Sequence, residues 1–246
     1  MSAPIVLLHG FTQTGASWDG VRAALPAGRT VLTPDLRGHG RLAGARPVTL
    51  AAVLDDLDDL VDGAVLGGYS MGGRIALAYA VARPQRVRRL VLVAASPGLA
   101  DRDERRVRRD ADEALARRIE EHGIAAFAAE WENLPLFAGQ PLEVAAAARQ
   151  QRLRQDPAGL AAALRGLGTG VLEPLWHGLA GLGVPTTLMA GELDAKFGAI
   201  AEAMVTRLPD ARLVIVPGAG HAVHLEAPAS VAAALLAYRG TGSEHR

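Results

Sequence analysis

The sequence predicts an α/β fold with a mostly parallel, doubly wound sheet and a helical lid inserted after the fourth strand. Three observations lead there. Short apolar runs rich in Val, Ile and Leu alternate with helical patterns. The runs are continuous, not alternating, as expected of strands covered by helices on both faces. One long stretch, from about Asp101 to Gly170, breaks this rhythm and contains no convincing strand.

The strands are expected at Ile5–Leu8, Thr30–Thr33, Val65–Tyr69, Leu90–Val93, Thr186–Ala190 and Leu213–Val216. Helices are expected at about Trp18–Leu25, Leu50–Val61, Met71–Ala82, Ile200–Leu208 and Pro228–Tyr238. Repeated strand–helix units imply right-handed crossovers. Gly123, Pro135, Pro141 and Pro157 divide the intervening stretch into several helices. Residues 1–100 and 171–246 therefore read as the core, and 101–170 as a lid over the carboxyl ends of the strands, where open α/β sheets bind ligands. Thr241–Arg246 reads as a short tail.

Composition narrows the function. The 246 residues suit one large domain, and half of them are hydrophobic. Lys+Arg and Asp+Glu balance at 26 each, so no global field favours nucleic acid or an anionic membrane. Cysteine is absent, which excludes disulfides and thiolate chemistry. Lys196 is the one lysine, so nearly all the positive charge is arginine. No apolar run reaches about eighteen residues, and Met1-Ser2-Ala3-Pro4 carries no basic stretch. A cytoplasmic chain without a membrane anchor is expected, as a monomer or small homo-oligomer. Neither a zinc-ligand cluster nor a dinucleotide signature is present, so no metal or cofactor is expected.

Gly68-Tyr69-Ser70-Met71-Gly72 carries the chemistry. A G-x-S-x-G between a strand and a helix forms a sharp turn that lifts the serine hydroxyl above the sheet. Partners are expected in the order serine, acid, histidine. Asp194 follows the fifth strand and His221 the sixth, the same topological position one strand later. His221 would take the Ser70 proton while Asp194 orients the imidazole. Glu192 and His224 stand close by as competitors for those roles. In the first loop, His9-Gly10-Phe11 places the Phe11 N–H as one oxyanion donor, with the Met71 N–H as the other. His9 reads as a brace for that loop, and Asp35-Leu36-Arg37-Gly38-His39-Gly40 as a second brace.

Taken together these residues resemble the α/β-hydrolase superfamily over the whole chain. Gly68–Arg74, Trp131–Phe137, Leu164–Gly170, Gly191–Phe197 and Gly218–Glu226 resemble more closely one branch of it, the 2-succinyl-6-hydroxy-2,4-cyclohexadiene-1-carboxylate synthases of menaquinone biosynthesis. The resemblance implies a lyase that eliminates pyruvate from an enolpyruvyl, succinyl-bearing cyclohexene carboxylate. The substrate would be a small polycarboxylate, which calls for guanidinium groups that grip carboxylates in a bidentate fork. Arg74, one turn beyond Ser70, is either such a ligand or a surface ion pair. Arg108 shares a helical face with Asp112, Leu115 and Ile119. With Arg154 it matches the family pattern for carboxylate clamps, although most of the neighbouring arginines must be solvated. Trp131 resembles a pocket-lining residue and could equally be lid core. Tyr69 could touch substrate or fill the turn. A carboxylesterase acting through an acyl-serine fits the same triad, and a non-catalytic receptor is the third reading.

Overall fold

In the computed structural model, which describes residues 2–237, six strands form one sheet in the order β2-β1-β3-β4-β5-β6, with every neighbouring pair parallel. They are β1 (Ile5–Leu8), β2 (Val31–Leu32), β3 (Ala64–Tyr69), β4 (Val87–Val93), β5 (Thr186–Gly191) and β6 (Ala211–Val216). Side chains alternate across the sheet, so the continuous apolar runs feed two cores. Val6, Leu8, Leu66, Leu90, Leu92 and Leu188 pack on one face, beneath α2 (Leu50–Asp58), α3 (Met71–Ala82) and α7 (Ala195–Val205). Ile5, Leu7, Val65, Val91, Val93 and Met189 face the other way, toward α1 (Asp19–Ala24), α8 (Val223–Glu226) and α9 (Pro228–Leu236).

Element ends differ from expectation where polar residues take special roles. Strand β4 begins three residues earlier, at Val87. The buried Arg89 lies within it and donates to the carbonyls of Leu235 and Ala237 at the end of α9. Helix α7 begins at Ala195 and not Ile200, because the Asp194 carboxylate accepts from the Phe197 N–H at 3.2 Å and caps the first turn. Tyr238 and Thr241–Arg246, named above, lie outside the described residues.

Between β4 and β5 the chain is helical. Helix α4 (Arg102–Trp131) is capped by Asp101 and breaks at Gly123, whose φ of 76° and ψ of 179° are not helical. Helix α5 (Leu142–Leu153) follows Pro141, and α6 (Pro157–Leu167) starts on the Asp156 cap with proline at its first position. Ala116, Ile119, Phe127, Leu160, Ala161 and Leu164 give this layer a small core of its own. Phe11 packs against it from the β1 loop, so the insertion rests directly on the carboxyl end of the sheet.

Candidate active site

Strand order reverses between β1 and β3, and the loops leaving these two strands open a crevice at that switch point. Ser70 closes β3 with φ +50°, a left-handed conformation rarely adopted outside glycine, and α3 starts at the next residue. The turn is possible because the chain closes on itself without side chains. A Cβ on Gly68 would strike the Gly72 carbonyl, and one on Gly72 would strike the carbonyls of Leu8 and His9. The Ser70 N–H donates to the Val93 carbonyl at 2.9 Å, which ties the turn to β4.

The loops after β5 and β6 bring the partners. Ser70 Oγ lies 3.3 Å from His221 Nε2, and His221 Nδ1 lies 2.6 Å from Asp194 Oδ2. Both Asp194 and His221 are buried. The carboxylate at Nδ1 selects the tautomer that leaves the Nε2 lone pair facing the serine hydroxyl. Asp194 thus uses one oxygen for the imidazole and the other to cap α7. Glu226 accepts from Gly220 N–H at 2.7 Å and Ala222 N–H at 3.2 Å, holding the backbone on both sides of His221. Of the two competitors, Glu192 accepts from the Gly218 N–H and His224 contacts Gln13, so neither enters the Ser70–His221–Asp194 chain.

Met71 is the first residue of α3, where an N–H has no acceptor inside the helix. Phe11 approaches from the β1 loop. That loop is held by His9, which contacts the Gly10 carbonyl through Nδ1 at 2.8 Å and accepts from the Leu36 N–H at Nε2 at 2.9 Å. Burial lowers the His9 pKa to about 4, so the ring is neutral and both nitrogens are engaged as a brace. His39 packs edge-on against it at 5.0 Å, and Asp35 accepts from the backbone of Gly15 and Arg41.

The arginines divide unevenly. Arg74 is buried, and its guanidinium donates to the Leu167 carbonyl at 2.5 Å and to the Thr169 hydroxyl. Burial, and then the nearby Arg108, lower its pKa to about 10. The Arg108 charge is thus felt at Arg74, but its Nε is held by Asp112 at 2.8 Å and its side chain is 45% exposed. Arg154 lies elsewhere on the lid. It lies beyond the end of α5, exposed, in an outer groove of about 710 Å³ shared with Thr14, Asp35 and Arg41. The side chain that turns inward is Arg152, which is 5% exposed. Its Nε and Nη1 are buried without a partner, and it is close enough to Tyr69 to influence that phenol. Helical phase explains the difference: Val144, Ala148 and Arg152 follow one another at four-residue spacing on the less exposed face of α5. That ladder was a usable signal for Arg152.

Tyr69 is buried between the His221 and His224 rings, at 5.2 and 4.1 Å. Burial first, then Asp194 and Glu226, push its pKa up, so the phenol keeps its proton. Trp131 joins Phe11, Phe127 and Phe137 in an aromatic cluster with ring centroids 5.2 to 6.4 Å from Trp131. Phe137 also stands 6.3 Å from His221, and Phe197 packs on the same imidazole at 4.5 Å. Both phenylalanines close segments that resemble the family, Trp131–Phe137 and Gly191–Phe197, but no sequence signal assigned either of them a role at the site. The resulting site is a serine–histidine–aspartate relay under an apolar roof, with a buried, unpartnered cation at its edge. Among the described residues no helix is long and apolar enough to cross a membrane, and no group of three His, Asp or Glu could hold a metal ion.

Comparison with known proteins identifies the family. Residues 5–234 match the model of the Alpha/beta hydrolase family. The chain is 41% identical, over 239 residues covering 92% of it and 86% of the relative, to a putative 2-succinyl-6-hydroxy-2,4-cyclohexadiene-1-carboxylate synthase of Bacillus subtilis. A synthase of the same name from Klebsiella pneumoniae is 32% identical, with 94% and 91% of the two chains covered. Among solved structures, MenH from S. aureus superposes with a TM-score of 0.91 at 34% identity, covering 95% of this chain and 92% of that one. A malate-bound thermophilic esterase from Thermogutta terrifontis gives 0.83 at 30% identity, covering 96% and 88%.

Proposed function

The chain belongs to the alpha/beta hydrolase family and, within it, to the 2-succinyl-6-hydroxy-2,4-cyclohexadiene-1-carboxylate synthases, and we infer that its site is built for elimination rather than hydrolysis. It is a lyase of menaquinone biosynthesis that releases pyruvate from 2-succinyl-5-enolpyruvyl-6-hydroxy-3-cyclohexene-1-carboxylate. In our reading, the Ser70 hydroxyl gives its proton to His221, and Ser70 Oγ removes the ring proton beside the succinyl ketone. The Phe11 and Met71 N–H groups hold the charge that develops on the ketone oxygen. As the electrons return, the ring gains a double bond, the C–O bond to the enolpyruvyl group breaks, and the proton held on the relay is available to the departing pyruvate. No water is consumed and no acyl-enzyme forms. A positioned base supplies about a hundred- to ten-thousand-fold. The oxyanion donors contribute about 3 kcal/mol each.

The observation that carries this reading is Arg152, a buried guanidinium with two free nitrogens at the edge of a serine relay. An ester pocket has no need of such a charge, whereas a substrate with several carboxylates does. Arg74 is the second candidate ligand, and Arg108 supports it from the lid side. The helical layer 101–170 acts as the lid, with Trp131 and Phe137 closing over His221.

The test is incubation with the enolpyruvyl substrate while following pyruvate and the conjugated diene together. Wild-type protein should form both in equal amounts, and Ser70→Ala should form neither. Pyruvate release unchanged in Ser70→Ala would remove that hydroxyl from the mechanism. Rapid turnover of simple uncharged esters with a trapped acyl-Ser70, and no pyruvate, would instead identify a carboxylesterase.

A further inference from the structure

The oxyanion loop contains a strained residue that the chemistry above does not explain. Directly after Phe11, Thr12 is 3% exposed and adopts φ +69°, a conformation that a β-branched side chain strongly disfavours. Such strain persists only where neighbouring groups over-determine it. The neighbour is Gln13. Its backbone N–H donates to the Gly10 carbonyl at 3.2 Å, and its side-chain Oε1 accepts from the Gly10 N–H at 3.2 Å. These two bonds close a ring around Phe11 and Thr12.

The same Oε1 accepts from His224 Nε2 at 3.2 Å. His224 is wholly buried, with its ring against Tyr69 and Trp18 at 4.1 and 4.8 Å. It follows His221 by three residues and opens into the short helix Val223–Glu226. On the other side, the Gln13 carbonyl accepts a long bond of 3.5 Å from Gln155, which is itself buried and also accepts from the Gly40 N–H. Gln155 lies between α5 and α6, three residues beyond Arg152. Gly10 completes the packing: its backbone lies so close to Tyr69 that an added Cβ would fall 2.6 Å from that ring. One amide side chain therefore touches the loop that carries Phe11 and the histidine element, while its own backbone meets the turn between α5 and α6.

We propose that Gln13 is the positioning residue of the oxyanion hole: by holding Thr12 in its strained conformation it aims the Phe11 N–H, and it keeps that aim in register with His224 and with the turn between α5 and α6 at Gln155. This rests on the reading of Phe11 as an oxyanion donor in a lyase. Burial supports the neutral ring required of His224, whose pKa falls to about 3. Without the Gln13 acceptor, Thr12 relaxes toward ordinary φ, and the Phe11 N–H turns away from the developing charge while the substrate's carboxylates still bind.

Gln13→Met keeps the side-chain length and removes the acceptor. It should lower kcat for pyruvate release at least 30-fold and leave KM within about threefold. Labelling of Ser70 by an alkyl fluorophosphonate should slow by a similar factor. In that step Ser70 Oγ attacks phosphorus, fluoride leaves and His221 takes the proton, so the phosphonyl oxygen needs the same N–H groups. Adding Thr12→Gly to Gln13→Met should recover kcat at least fivefold, because glycine tolerates φ +69° without a tether. A purely structural glutamine would show a fall in melting temperature and no recovery with Thr12→Gly. Either unchanged labelling in Gln13→Met or failure of that rescue overturns the proposal. If the wild-type protein released no pyruvate, the lyase reading would fall, while the labelling arm and its rescue would still decide the role of Gln13.

Discussion

Replacing Arg152 by methionine should have opposite effects on catalysis and on stability. The guanidinium is buried with Nε and Nη1 unpartnered, and its nearest counter-charge, Glu132, is already taken by Arg149 at 3.0 Å. In the empty enzyme this is a desolvated cation with incomplete compensation. Burial lowers its pKa from the ordinary arginine value, the direction expected of such a charge. Exchange of a buried charge for an apolar side chain of similar volume is commonly neutral or stabilising. Arg152→Met should therefore unfold at the same or a higher urea concentration than the wild type. Substrate binding changes the sign. A hydrogen bond to a charged group is worth about 1.5–3 kcal/mol, and a carboxylate left buried without its partner costs more. A loss of about 3 kcal/mol lowers kcat/KM by roughly 150-fold. The assay is coupled detection of pyruvate over a range of substrate concentrations, alongside urea unfolding of both proteins. Unchanged kcat/KM would refute the ligand role. A matching loss of stability would show that the guanidinium holds the lid together instead.

Arg74 makes the complementary case. It already bonds the Leu167 carbonyl and Thr169, so Arg74→Ala should both raise KM and destabilise the fold by about 1–3 kcal/mol; calorimetry showing an unchanged melting temperature would contradict this. Asp194→Asn should keep the α7 cap, since asparagine caps equally well, yet present the wrong imidazole tautomer to Ser70. A fall in kcat on the order of 10⁴-fold with little change in melting is expected, and retention of a tenth of the activity would sink the relay. His9, His39 and His224 are buried with pKa values lowered to about 4, 3 and 3, against 6.5 in the unfolded chain. The unfolded state thus binds more protons below pH 6.5, and stability must fall as pH drops from there toward 4. Three such groups give a limiting slope of about 4 kcal/mol per pH unit. Urea unfolding at pH 7.5, 6 and 5 measures it, and a flat profile would show that these rings are protonated in the fold.

The sheet was legible because Ile5–Leu8 and Leu90–Val93 are short continuous apolar runs, the pattern expected of strands covered on both faces. The meeting of Ser70, Asp194 and His221 was legible for a related reason. Each lies in the loop that follows a strand, and parallel topology gathers all such loops at one edge. What escaped were positions where polar residues do structural work. Arg88 and Arg89 hid the start of β4, which polar content alone argues against, and the capping by Asp194 hid the first turn of α7. In the lid, closely spaced arginines made residue type uninformative, so only helical phase separates Arg152 from Arg154. Phe137 belonged to a segment that resembles the family, but no periodic signal pointed it at the site. It lies in a short turn, and its meeting with His221 depends on how the lid docks.

A crystal structure of Ser70→Ala with the intact enolpyruvyl substrate bound tests the convergence of these parts most directly. The succinyl ketone oxygen should lie about 3 Å from the N–H groups of both Phe11 and Met71, with a substrate carboxylate on the free nitrogens of Arg152. Substrate bound with its ketone turned away from those N–H groups, and Arg152 still without a carboxylate, would contradict the account.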